Sequence, residues 1–89
     1  MPATRNNSDL RILRDPVLTV KAKLRQLEIT NRQVAHAARL PESTLSEVLS
    51  GKNRNVNRQI DVLFAVCSLT GAVLSVRQLF GPLAAREAA

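Results

Sequence analysis

Eighty-nine residues allow one domain, and with 45% apolar but only 2% aromatic composition its core is expected to be aliphatic. The single cysteine excludes an internal disulfide, no stretch approaches the roughly 18 apolar residues of a membrane span, and the polar N-terminus excludes a secretory signal, so a cytoplasmic protein without membrane contact is expected. The net charge of +6 falls wholly within residues 11–58, where ten Lys or Arg stand against four Asp or Glu, and this concentrated basic half suits a polyanion partner.

Residues 1–9 are polar and aperiodic, and with Leu10 to Leu13 as a short apolar turn they are expected to form a flexible arm over residues 1–14. Asp15–Pro16 has the form of a helix start, Asp as N-cap and Pro at the first helical position. Val17, Val20, Leu24 and Leu27 then fall on one helical face, with Lys21, Lys23 and Arg25 off it. Thr30 and Gln33 have capping-box spacing and open a second helix over residues 31–38, with Val34, Ala35 and Ala38 inward. Arg39–Leu40–Pro41 is a turn. A third helix follows over residues 42–50, with Leu45, Val48 and Leu49 inward and Gly51 as a left-handed cap.

Residues 52–58 read as a basic, Asn-rich loop in which Asn55 or Asn57 caps a fourth helix. Ile60, Leu63, Phe64 and Cys67 share one face and predict its buried side. Gly71 stops it. Ser75 caps a short fifth helix carrying Val76, Leu79 and Phe80, Gly81–Pro82 ends that, and residues 82–89 form a C-terminal tail. No strand pattern and no repeat is present. The expected fold is all-α, with five helices in one domain over residues 15–81.

Residues 30–51, TNRQVAHAARLPESTLSEVLSG, resemble the helix-turn-helix of the phage lambda repressor/Cro-type family, which includes the XRE-type bacterial regulators. Ala35 falls at the family's small position, where two helices cross closely. Leu40 matches the apolar turn residue, Leu45 and Val48 the inward positions, Ser46 and Gly51 the frequent Ser and closing Gly. A looser resemblance spans residues 16–80 and implies the family's compact five-helix domain. The chain departs from the pattern at Arg39, where Gly is usual, and at Asn31, Ala38 and Pro41. A left-handed backbone at Arg39 would cost on the order of 1 kcal/mol.

The resemblance implies base reading by Glu42, Ser43, Thr44 and Glu47, and phosphate contact by Asn31, which could also brace Glu42 or a neighbour. Lys52, Asn53, Arg54 and Asn55 follow the reading helix where family members touch the DNA backbone. Arg32 is expected as a backbone clamp, and Arg58 as a further phosphate contact from the basic loop. Ser and Thr hydroxyls suit several base edges, the Thr methyl suits thymine, and a Glu accepts from cytosine N4 while being repelled by phosphate. Other roles are open at the same residues: Glu42 also favours a helix N-terminal dipole, and Ser43 and Thr44 could cap the helix. His36 is expected at the surface and Cys67 as a packed thiol.

With no Cys–His pair and no nucleophile–base set, neither a metal, a cofactor nor an enzymatic activity is expected. The expected function is therefore a sequence-specific, repressor-like regulator of double-stranded DNA, in a phage or in a bacterial cytoplasm or nucleoid, with no small-molecule ligand. The alternatives are an architectural or accessory DNA-binding protein, as in phage transposition, and an antitoxin-like interaction module. A homodimer or higher homo-oligomer is expected through the fifth helix and tail, at Val76, Leu79, Phe80 and Leu83.

Overall fold

The computed structural model describes residues 7–84, with side chains from residue 9 onward. Within that span the chain forms six α-helices and no strand: α1 Asn7–Arg14, α2 Val20–Gln26, α3 Asn31–Ala38, α4 Glu42–Ser50, α5 Val56–Thr70 and α6 Val76–Phe80, followed by a 3-10 turn, Gly81–Leu83. The all-α class stands, with six helices where five were expected. The added one is α1. Its Leu13 is wholly buried and it packs on α2 and α6, so residues 7–14 are part of the body and not of an arm. Residues 1–6 of that expected arm, and 85–89 of the expected tail, lie outside the described residues. No described helix is long and apolar enough to cross a membrane.

The start of α2 also differs from expectation. Asp15 Oδ1 accepts the Val17 N–H at 2.8 Å and closes a local turn, not a helix. The helix begins after Thr19, whose Oγ1 accepts the Ala22 N–H at 3.1 Å. Val17 is therefore left 85% exposed, while Val20, Leu24 and Leu27 enter the core as the spacing required. Both signals are Asx- or Ser/Thr-type caps, and the chain uses the second one for the helix.

The centre of the fold is α3 laid across α5, with α4 beside α3. The Thr30–Gln33 capping box forms as expected: Thr30 Oγ1 accepts the Gln33 N–H at 3.1 Å, and Gln33 Oε1 accepts the Thr30 N–H at 2.8 Å. Val34, Ala35, Leu45, Val48 and Leu49 are all buried. On α5 the inward face is Gln59, Val62, Leu63, Val66 and Thr70, one residue out of phase with the expected face. Phe64 is 68% exposed, and Ile60 and Cys67 are only half-buried. The run from Val62 to Cys67 is apolar all round, so the two phases cannot be told apart by hydropathy. Polar Gln59, which lies in the true phase, hid it.

The C-terminal segment is held by polar ties to backbone. Lys23, 1% exposed, donates from Nζ to the carbonyls of Gln78 at 3.1 Å and Leu79 at 2.9 Å. Gln59 donates from Nε2 to the Leu83 carbonyl at 2.8 Å. Leu83 in turn lies over Gly51, where an added Cβ would come within 2.9 Å of its side chain. Leu79 and Phe80 are buried in the core of the protomer. They are unavailable for the subunit contact expected of them, and Val76 and Leu83 are half-buried.

Candidate nucleic-acid interface

Three residues, 39–41, connect α3 to α4. Arg39 takes the left-handed conformation at φ 57°, ψ 42°, the strained geometry that the sequence raised as one option. The Leu40 N–H reaches back to the Ala35 carbonyl at 3.0 Å and the Arg39 N–H to the His36 carbonyl at 3.2 Å. This pair of bonds is a Schellman closure, which needs a left-handed residue at the position after the helix. The same closure ends α2, with Glu28 at φ 60°. Half-buried Leu40 packs on the core and fixes how the chain enters α4.

Pro41 precedes α4 without a side-chain cap bond. Ser43 and Thr44 therefore do not cap the helix, which was their alternative role. With Leu45, Val48 and Leu49 buried, the outward stripe is Ser43, Ser46, Glu47 and Ser50, spaced i, i+3, i+4, i+7. Glu42 lies at its edge, and Thr44 is half-buried on the flank. Ser46 and Ser50 were not among the expected site residues, although helical spacing from Ser43 finds both. Ser50 Oγ donates back to the Glu47 carbonyl at 3.1 Å.

Around this stripe the expected residues divide. Arg32 on α3 approaches Glu42 at 3.9 Å, so the brace on Glu42 comes from Arg32, not from Asn31. Both are largely exposed, so the pair orients more than it stabilises. Lys52 and Arg54 are exposed and make no ion pair among the described residues. Arg58 is paired with Asp61 at 3.2 Å. Asn53 and Asn55 serve the loop: Asn53 Oδ1 accepts the Asn55 N–H at 2.9 Å, and Asn55 Oδ1 accepts from Asn57 at 2.9 Å and Arg58 at 3.3 Å. Their carboxamide oxygens are used in shaping the entry to α5. His36 is exposed, as expected.

Exposed Asn31 opens onto a groove with Lys21 and Arg25 of α2 and the acidic Glu28. Lys21 and Arg25 lie off the core face, and their i, i+4 spacing puts them on one outer face of α2. Lys23 is the opposite case. Burial pushes its pKa below the ordinary lysine value, against the pull of the Asp15 carboxylate, and its charge is turned inward. A scan against protein-family models, a search of curated proteins and a search of solved structures found no match to this chain.

Proposed function

We propose that the chain is a sequence-specific double-stranded DNA-binding protein of the lambda repressor/Cro type, acting as a phage or bacterial transcriptional regulator. The observation that carries this reading is the outward stripe of α4. Its hydroxyls and one carboxylate stand clear of a fully packed inner face. Exposed Arg32, Lys52 and Arg54 lie at its two ends, on α3 and in the loop that follows. In this reading α3, the turn and α4 are a helix-turn-helix, and α4 enters the major groove. Ser43, Ser46 and Glu47 face base edges, Ser and Thr hydroxyls serving several bases and Glu47 accepting from cytosine N4. Lys21, Arg25, Asn31, Lys52 and Arg54 meet phosphate. Glu42, held by Arg32, disfavours any pose that brings phosphate against it.

Selection of bound duplexes from a random pool, followed by sequencing, tests the reading. A defined half-site of a few base pairs in inverted repeat is expected. A preference below about tenfold over random DNA, against the 10³ or more usual for specific binders, would favour an architectural role instead. Failure to retain any duplex at low salt would remove DNA binding altogether. Arg54→Ala is expected to weaken binding to all sequences alike and to lower the slope of log affinity against log salt by about 1. Glu47→Gln is expected to alter the selected sequence with little change in that slope.

A further inference from the structure

We propose that two copies of this chain associate through the outer face of α5, in a two-fold contact centred on Phe64. The contact goes beyond the DNA-binding reading and does not rest on it. Among the described residues only four large apolar side chains are exposed, and three of them, Val56, Phe64 and Val73, belong to α5 or its exit. Phe64 is 68% and Val73 84% exposed, and Phe64 is the largest apolar side chain left outside the core among the described residues.

The face commits to a neutral occupant. Its charged side chains, Arg58 and Asp61, already pair with each other at 3.2 Å. The remaining exposed or half-buried residues on it are Val56, Asn57, Ile60, Phe64, Cys67, Ser68 and Gly71, none of them an Asp, Glu, Lys, Arg or His. Nucleic acid and charged partners find no complement there. Residues 59–89 also sum to zero charge while the chain carries +6, so two copies that repel elsewhere can approach through this half.

The face is also self-complementary. In an antiparallel helix pair with the axis at residue 64, position 64+k of one copy faces 64−k of the other. Ile60 then meets Ser68 and Asn57 meets Gly71, so each larger side chain opposes a small one. Asp61 meets Cys67, and Arg58 stands opposite position 70, whose Thr is buried, so no like charges face each other. The 15 residues of α5 extend about 22 Å. One such face with Val73 at its end supplies only part of the ~800 Å² per partner of a standard interface. The association is therefore weak, with a dissociation constant on the order of 10–300 μM.

Sedimentation equilibrium of the full chain without DNA tests this. Between about 10 μM and 1 mM the apparent mass is expected to rise from 9.8 kDa toward twice that value. Phe64→Glu and, separately, Val73→Glu should each raise the dissociation constant at least about tenfold, with unchanged helical circular dichroism. A wild-type chain that stays monomeric throughout overturns the proposal, as does a dimer indifferent to both substitutions. A third measurement fixes the axis. In a Cys67→Ser background, Phe64→Cys should oxidise to a covalent dimer much faster than Ala37→Cys on the exposed side of α3, because a residue at a two-fold axis meets its own copy. Equal rates would place the contact elsewhere. Since none of these measurements contains DNA, loss of the dimer and loss of DNA binding are separately visible.

Discussion

Two non-glycine residues among those described occupy backbone geometry that suits glycine, and both sit just past the end of a helix. Arg39 lies at φ 57° between α3 and α4, and Glu28 at φ 60° between α2 and α3. In each case the Schellman bonds and the apolar residue that follows, Leu40 or Ile29, hold the chain in place against a cost of about 1–2 kcal/mol. The Glu28 side chain is exposed and forms no hydrogen bond or ion pair among the described residues, so its strain has no side-chain return. Glu28→Gly releases that strain but adds about 0.4–1 kcal/mol of freedom to the unfolded chain. A net stabilisation of up to about 1 kcal/mol is expected, read as a higher urea midpoint with unchanged slope. A midpoint lowered by this change would mean that Glu28 makes a favourable interaction outweighing the strain.

At the level of the elements, caps decide where helices begin. Asn55 takes two N–H groups at the start of α5, the longest helix, against which α3 is packed. Asn55→Ala is expected to destabilise the protein by about 1 kcal/mol, measured by chemical denaturation. If stability were unchanged, the 53–55 loop would be fixed by its other bonds and not by this cap. The same logic explains which elements were legible in sequence. The Thr30–Gln33 box, the Pro41 break and Gly51 bound α3 and α4 with no ambiguity, and both helices lie where the spacing puts them. Asp15–Pro16 and Thr19 offered two starts for α2, and local sequence does not say which turn the core will accept. The phase of α5 was hidden because its apolar run has no polar side to mark the outside. Lys23 and Gln59 went unseen as core residues because their burial depends on carbonyls more than twenty positions away. Within the candidate interface, Ser46 and Ser50 were readable from helical spacing, whereas the diversion of Asn53, Asn55 and Arg58 into loop contacts required the loop itself.

For the whole molecule, the dimensions are 36 × 26 × 19 Å. Within one copy, polar ties fasten the C-terminal segment to earlier helices. Lys23 of α2 and Gln59 of α5 both hold the α6 segment, and Leu83 from that segment rests on the C-terminal cap of α4. Lys23→Met keeps most of the volume but leaves two carbonyls without their donor, and a loss of about 1–3 kcal/mol is expected near neutral pH. The pH dependence has a definite sign. Because burial lowers the folded-state pKa of Lys23 beneath its ordinary value, the unfolded chain binds more protons there between the two values, and wild-type stability rises with pH through that window, which ends near 10.5. The deficit of Lys23→Met relative to wild type should therefore widen as pH climbs toward that limit. Parallel urea curves at constant separation across the alkaline range would show that Lys23 is not deprotonating in the folded state.

Both polar ties end on carbonyl oxygens, which every residue carries. The acceptor side of the clasp is thus blind to which amino acids stand at 78, 79 and 83, provided that the helix and the 3-10 turn persist. The donor side has no such latitude, since only a long amine reaches from residue 23 and only a primary amide from residue 59. Under mutation the two halves of one contact would drift at unequal rates: residues 23 and 59 held nearly fixed, residue 78 changing freely, residues 79 and 83 restrained only by the space that they fill.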